Sequence, residues 1–487
     1  MQGGAGYWAT QTIDSNYLFI ANKENELFLT KTNSSGDTLF AKSFIGITVS
    51  TAGWSPAYNC SDGGFIITGT TYSQYYDVFL MRFSSDGNLL WQNNYGTTKY
   101  DEGFSVMENS NKEIIVTGSS NIGAGADDIF FMRTDSIGSF ISSTRIFDTN
   151  NSNQWCNCVR PALDKGFILT GVNIDNLYDA IVIKSDSSGN ISWLKTYGNS
   201  SDREEAKTIL PLQDSTYVLL LSSYYMSTVT GWTSLIKIDK FGNIIWAKDY
   251  SKVNNQLDKI SGRCVIETND KGFLIGGSVL MKTDSVGNAL WCNNKGIFIS
   301  DVKQTFDNGY IIAGNGSYGY YGGSAVLLKV DSLGNGGCYD STIAVVTTSN
   351  SSMPVSIPNL QITSAGFTVK SPILVPINDP MITDTTCIIW TYDNINEYNS
   401  SSNQLEISPN PTSGVLQIQV GSGQSAAGKE YTIEIYNVMG EKVYNSLLPQ
   451  STQSPQLTIN LSAAPKGIYF IQVTSDKGRA IGKIIIQ

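Results

Sequence analysis

Residues 165–198, KGFILTGVNIDNLYDAIVIKSDSSGNISWLKTYG, hold two apolar runs at 167–170 and 180–183. A turn written Asp186-Ser187-Ser188-Gly189-Asn190 follows, then a third run that ends in Trp193, Tyr197 and Gly198. Short runs of β-branched and aromatic residues divided by Gly, Asn and Asp form strands and hairpin turns. In such a turn the Asp side chain caps backbone N–H groups while Gly accepts positive φ. The same lettering recurs on both sides. A basic residue precedes each turn (Lys31, Arg82, Arg133, Lys184, Lys237, Lys282, Lys329), and Gly36, Gly87, Gly138, Gly189, Gly242, Gly287 and Gly334 close the turns at intervals of 51, 51, 51, 53, 45 and 47 residues. The chain carries seven copies of one unit.

Each period has room for four strands of about five to eight residues, the content of a propeller blade. The second copy predicts strands at 58–60, 65–69, 78–83 and 89–95, the third at 104–108, 114–118, 129–134 and 140–147, and the first begins at once with an innermost strand over 7–13. Continuous apolar runs such as Val78-Phe79-Leu80-Met81 suit strands covered on both faces by neighbouring sheets. The expectation is an all-β chain whose residues 1–338 form a seven-bladed β-propeller. In the seventh copy the fourth strand is missing after Gly334, and a segment such as 342–348 is expected to close that blade. Residues 339–403, rich in Pro, Ser and Thr, read as an extended connector with edge strands lying along the propeller, ending in a polar linker.

Composition agrees with this class. Among 487 residues there are 46 Gly, 25 Tyr and 9 Trp, and only 15% are charged, which suits short strands better than long helices. The net charge of −10 offers no basic footprint for a nucleic-acid backbone. No apolar run approaches the roughly 20 residues of a membrane-spanning helix. The first residues, MQGGAGYWATQT, lack the charged and apolar regions of a signal peptide, leaving two expectations, a cytosolic protein or one whose export signal has been removed. The seven cysteines lean towards the second. They show no CxxC spacing and the chain has no His, which argues against a zinc site; Cys338 and Cys387, bracketing the Pro-rich stretch, are the disulfide candidates.

Residues 404–487 alternate as seven short strands, at 405–407, 415–420, 431–436, 442–446, 456–460, 467–474 and 479–486, the content of an immunoglobulin-like β-sandwich. Pro409, Asn410 and Pro411 followed by Gly414, then Tyr436, Asn437 and Gly440, then Gly467 and Tyr469, and finally Lys483 in a closing apolar run, stand in a fixed order before the C-terminus. In these motifs the segment strongly resembles the type A C-terminal sorting domain of the type IX secretion system of Bacteroidetes. The resemblance implies export across the outer membrane, recognition by the type IX translocon, removal by a sortase-like protease, and a secreted or outer-membrane surface-attached product. The repeats likewise resemble the propeller-like arrays found ahead of such domains in Bacteroidetes surface proteins.

Candidate functional residues fall in the variable parts of the unit. The turn Asp of D-x-x-G-N (Asp135, Asp186, Asp239, Asp284, Asp331) offers too few oxygens, at the wrong spacing, for calcium. Neither a metal nor a cofactor is expected, and the absence of His excludes Ser-His-Asp and Cys-His devices. Glu26, Asp77, Asp128 and Asp179 recur at intervals of 51 before the third strand, where they either cap the strand or gather a cation or sugar hydroxyls. The tips between second and third strands carry Tyr72, Tyr75, Tyr76, Tyr178, Tyr224, Tyr225, Trp232, Tyr318, Tyr320 and Tyr321 among Ser, Gly and Asn, the composition of adaptable recognition loops or of ordinary polar hairpins. The reading is a non-enzymatic binding protein for glycan or protein. The alternatives are a polysaccharide-cleaving enzyme using the carboxylates and a structural surface scaffold. Deleting residues 405–487 is expected to trap the protein inside the outer membrane, read by fractionating cells and medium; unchanged secretion overturns the export assignment.

Overall fold

The computed structural model describes residues 4–23, 26–48, 56–72, 75–121, 125–174, 178–198, 202–225, 231–252, 260–316, 324–336, 346–351, 353–356, 360–363, 368–370, 376–377, 405–410, 412–420, 430–437, 442–449, 456–475 and 478–486. All of its regular structure is antiparallel β. The chain divides into two units, Met1–Trp390 and Thr391–Gln487.

In the first unit each copy of the repeat is one sheet, in chain order: sheet 1 (residues 5–45), sheet 2 (57–96), sheet 3 (101–147), sheet 4 (154–197), sheet 5 (202–252), sheet 6 (262–293) and sheet 7 (297–330). Sheets 1 to 6 each run first strand to fourth as a meander; sheet 7 has three strands among the described residues. The turn that ends the third strand is built as its lettering requires. Asp186 Oδ1 accepts hydrogen bonds from the Ser188 and Asn190 amides at 2.8 and 2.9 Å, and Gly189 takes φ +91°. Asn190 has its own role, its Nδ2 donating to Asp186 Oδ2 at 2.9 Å, and Asp239, Asp284 and Asp331 repeat the arrangement.

The basic residue of each copy is also explained. All seven pair with an acid from the turn between first and second strands: Lys31–Asp14, Arg82–Asp62, Arg133–Glu113, Lys184–Asp164, Lys237–Asp214, Lys282–Asp270 and Lys329–Asp307, at 2.5–2.9 Å. Lys184 Nζ also donates to the Ser185 carbonyl at 2.7 Å, so the buried ammonium is satisfied on both sides.

Successive sheets are joined by the aromatics of the fourth strand, except between sheets 3 and 4, where Phe131 and Arg133 of the third strand reach the turn at Gly189. Tyr197 Oη donates to the Gly242 carbonyl at 2.8 Å, Tyr250 Oη to Gly287 at 2.6 Å, and Trp193 Nε1 to Lys240 at 3.0 Å. Each thus reaches the Asp/Gly turn of the next sheet, where a Cβ on Gly242, Gly287 or Gly334 would lie within 3.0 Å of Trp193, Trp246 or Trp291. Apolar clusters join sheets 1 and 2, 2 and 3, 3 and 4, 4 and 5, 5 and 6, and 6 and 7. A further cluster of Ala9, Phe19, Ile311 and Ala313 joins sheet 7 to sheet 1. The same junction is pinned by the Gly6 amide on Asn315 Oδ1 and the Phe306 amide on Gln11 Oε1, both at 2.8 Å.

The connector forms edge strands, and their order is informative. Val346–Asn350 pairs with the fourth strand of sheet 5, Val355–Ser356 with that of sheet 4, Gln361–Thr363 with sheet 3, Thr368–Lys370 with sheet 2 and Pro376–Ile377 with sheet 1. The chain runs back along the outside of the sheets as a belt. Its register is regular: Thr348, Val355, Ile362, Val369 and Pro376, seven residues apart, face Tyr250, Tyr197, Ile146, Tyr95 and Phe44. Five outer edges that would otherwise offer unpaired N–H and C=O groups are covered. The expectation that 342–348 closes the seventh copy is corrected in its described part, because Val346, Thr347 and Thr348 pair with Lys252, Ser251 and Tyr250 of sheet 5. That nine-residue strand offers the longer open edge, and Lys248 Nζ holds Asn350 Oδ1 at 2.8 Å.

The first strands touch one another in series. In six of the seven sheets they carry a β-bulge, at Tyr7, Phe104, Asn157, Lys207, Arg263 and Ser300. Cys60, Cys156, Cys158, Cys264 and Cys292 are buried free thiols; Cys338 and Cys387 lie outside the described residues.

The second unit has the seven expected strands in two sheets. Leu405–Ser408, Val415–Val420 and Gln456–Asn460 form one; Lys442–Pro449, Glu430–Asn437, Gly467–Ser475 and Gly478–Ile486 form the other. Leu416, Ile418, Ile433, Ile435, Ile459, Ile471 and Ile484, drawn from both sheets, make a single core.

Two predictions follow from this construction. Gly36 and Gly242 both have positive φ, but a Cβ on Gly36 meets nothing within 4 Å, whereas on Gly242 it meets Trp193 and Lys195 at 3.0 Å. Gly36→Ala is expected to cost about 1 kcal/mol for its backbone alone and Gly242→Ala measurably more in chemical unfolding; equal costs would contradict the docking role of the turn. The carboxyls of Asp307, held by the hydrogen bond from Lys329 and then by Thr305, and of Asp214 and Asp270, where bonds from Lys237, Lys282 and Thr neighbours outweigh burial, are lowered to about 2. A folded-state pKa below the unfolded value gives stability that is present above about pH 4 and is lost as pH falls through about 2. The contribution is modest, since these carboxylates are more than half exposed. The melting temperature should fall over this window, and less so in the triple Asp→Asn variant at 214, 270 and 307.

Candidate functional site

Within each sheet the turn between second and third strands lies at the same end as the connection to the next sheet, so tip and connection can meet. At the junction of sheets 2 and 3 they do. Tyr75 and Tyr76, from the tip, pack on Tyr100, from the connection, with ring centroids 5.8 and 5.5 Å apart at 88° and 48°. Tyr76 and Tyr100 remain 40% and 49% exposed. At the junctions around sheet 4 the arrangement is richer. Trp155 meets Tyr178 edge to face at 6.1 Å. The Arg203 guanidinium lies 4.3 Å from the Tyr178 ring and 5.6 Å from the Tyr224 ring, and Nη1 donates to Tyr224 Oη at 3.2 Å. A cation over two tyrosines holds their planes in a fixed orientation.

Tyr178 and Tyr224 are thus brought together, as are Tyr75 and Tyr76. Trp232 is half-buried at the start of its strand, opposite Ser223. Tyr72 and Tyr225 are placed by backbone register only, facing Tyr76 and Asp202, and Tyr318, Tyr320 and Tyr321 lie outside the described residues. Tyr100, Trp155 and Arg203 were not among the candidates read from the sequence. They come from the sheet-to-sheet connections and first strands, and Tyr100 and Arg203 occupy equivalent places, each just before the residue that faces Ser120 or Ser223.

The recurring carboxylates lie between sheets. Asp77 is 1% exposed and sits beside Asp101, the first residue of sheet 3, which is fully buried. Asp77 Oδ1 and Asp101 Oδ2 come within 2.2 and 3.1 Å of the point where a Cβ on Gly96 would stand, so only glycine fits between strand and carboxylates. Asp101 accepts from the Thr97 amide at 2.6 Å, from Thr97 Oγ1 at 2.9 Å and from Ser120 Oγ. Burial pushes its pKa up, the nearby Asp77 adding to the effect. Asp179 and Glu204 repeat the arrangement around Gly198, at 2.3 and 3.2 Å. Asp128 departs from it. Phe147 stands where the glycine was, and Arg145, stacked on that ring at 4.2 Å, forms an ion pair with Asp128 at 2.5 Å. Among the described residues no three Cys, Asp or Glu side chains converge as a metal shell, and no helix is long and apolar enough to cross a membrane.

In the second unit the ordered motifs meet in space. Asn410 Oδ1 accepts from the Ile485 amide at 2.9 Å, and the Thr412 amide donates to the Ile485 carbonyl at 2.8 Å, fastening the start of the unit to its last strand, which also carries Lys483. Gly414, at φ +114°, leaves only 2.5 Å between an added Cβ and Ser462 Cα. Tyr469 Oη donates to the Pro465 carbonyl at 2.7 Å, and Tyr436 Oη to Glu434 at 2.8 Å. Asn437 ends its strand opposite Tyr469, at the Gly467 end of the neighbouring strand; Pro409 is exposed, and Pro411 and Gly440 lie outside the described residues.

Comparison with known proteins bears on the two units differently. None of the curated proteins matches the chain. A solved structure of a protein of unknown function from Bacteroides caccae aligns over 58% of this chain and 97% of its own, at 10% identity and a TM-score of 0.34. Residues 406–487 match the family described as the secretion system C-terminal sorting domain. This segment is a type IX sorting domain, and the chain that carries it is a secreted or cell-surface-attached protein handled by that secretion system.

Proposed function

We propose that the protein is a surface or secreted binding protein whose first 338 residues form a seven-bladed β-propeller, with 339–403 as its connector and 404–487 as an immunoglobulin-like sorting sandwich. Support for the propeller comes from the order of the apolar clusters, which passes through all seven sheets and returns from sheet 7 to sheet 1. The binding face is the end that carries the tips between second and third strands, and its ligand is a glycan or a protein. One observation carries this reading, the cluster of Trp155, Tyr178, Arg203 and Tyr224, in which a guanidinium orients aromatic rings at the rim. Rigid rings on a polar rim suit stacking on sugars or on a protein hot spot.

The burial of Asp77, Asp101 and Asp128 favours binding over glycoside cleavage, because a general acid or base must reach the scissile oxygen. Their polar neighbours make these residues spacers between blades. The full-length protein is expected to bind on a glycan array or to retain a defined protein partner, and Tyr178→Ala combined with Arg203→Ala should weaken binding about tenfold or more, about 1.4 kcal/mol, with an unchanged melting temperature. Silence in both assays overturns the binding reading.

A further inference from the structure

A bulge inserts one residue that the ladder does not pair and re-aims its side chain. Here six bulges fall at the same place in six first strands, and those strands touch in series. The side chains so presented are Tyr7, Phe104, Asn157, Lys207, Arg263 and Ser300, all buried. Contact between neighbouring first strands sets these bulges side by side. Arg263 of sheet 6 acts electrostatically on Tyr7 of sheet 1, across the width of sheet 7, and on Lys207 of sheet 5. Lys207 Nζ lies 2.5 Å from Glu205 Oε2, and Asn157 of sheet 4 donates to Glu205 Oε1 at 3.3 Å.

The chemistry of this ring is that of a donor set. Two cations, 7% and 9% exposed, share Glu205 as the acid whose charge reaches both. Burial foremost presses the Lys207 pKa down, and Arg263 adds to it although Glu205 opposes. Burial also raises the Tyr7 phenol, keeping its proton available for donation. Among the described residues Ser300 Oγ and Asn157 Oδ1 have no hydrogen-bond partner although both are buried, the condition a bound group would relieve. The charges of Lys207 and Arg263 exceed that of Glu205 by one, and an oxyanion between them offsets the remainder while taking the guanidinium fork in bidentate fashion.

We propose that the ring of bulge residues is an oxyanion-binding site, taking a carboxylate or phosphate group between Lys207 and Arg263, with Tyr7 and Ser300 as further donors. The site rests on the propeller reading, which brings the first strands around one axis, and is independent of the rim aromatics. The ligand chemistry is shared by a free anion and by an acidic sugar of a glycan.

The test is thermal unfolding of the full-length protein at constant ionic strength, with inorganic phosphate, glucuronate or glucose against a sodium chloride control. Phosphate or glucuronate is expected to raise the melting temperature by about 2 °C or more, with glucose inert. Phosphate alone acting identifies a free anion, and glucuronate acting at least as strongly identifies an acidic sugar. Arg263→Gln and Lys207→Met should abolish the rise, and Tyr178→Ala should retain it even if rim binding is lost. Should Arg263→Gln not fold, Arg263→Lys, which keeps the charge and loses the fork, should show a reduced rise. The proposal is overturned if no oxyanion exceeds sodium chloride, or if the charge-removing variants respond as the natural protein does.

Discussion

The architecture of the first unit depends on one contact, the insertion of a fourth-strand aromatic against the glycine turn of the following sheet. Between sheets 3 and 4 it is replaced by Phe131 and Arg133 of the third strand, which lie on Gly189. The turn glycine meets two demands at once, a left-handed backbone and the absence of a Cβ where Trp193, Trp246 or Trp291 lies. The carbonyls that the turn exposes are then taken by Tyr197, Tyr250 and Trp193. Hairpin geometry within a sheet and docking between sheets are therefore fixed by the same few residues. A repeat that carries both functions in one turn can vary freely elsewhere, which is what its tips do.

Much of this was legible in residues 165–198. The Asp and Gly of the turn follow from local backbone chemistry, and the strands from β-branched runs, so the expected strand positions in the second and third copies fall close to the observed ones. What local lettering could not give was partnership at a distance. The pairing of Lys184 with Asp164 ties the third strand to the first turn of one sheet, and the placement of Asp77 beside Asp101 brings together two sheets. The belt was legible as extended chain but not in its path, because strands of two to five residues have too little side-chain periodicity to name a partner.

The candidate site was half legible for a similar reason. Tyr75, Tyr76, Tyr178 and Tyr224 stand in tips whose composition marks them, whereas Tyr100 and Arg203 arrive from the other side of a junction and Trp155 from the first strand of Tyr178's own sheet. A carboxylate series at fixed spacing invites a ligand, yet equal spacing in a repeat first means equal environment. Here that environment is a crowded glycine or, for Asp128, a stacked arginine. In the second unit the order of the sorting motifs has a mechanical basis, since Asn410 and Thr412 are stitched to Ile485 at the far end of the sequence.

The belt changes how the array holds together. Stacked repeats ordinarily depend on their nearest neighbours and can fray from an end. Edge strands that face Phe44 at Pro376 and Tyr250 at Thr348 tie sheets 1 through 5 to one stretch of chain. Contacts so distant in sequence form late, and stabilisation gained after the transition state slows unfolding, the rate that sets how long a protein lasts where proteases cleave faster than it recloses.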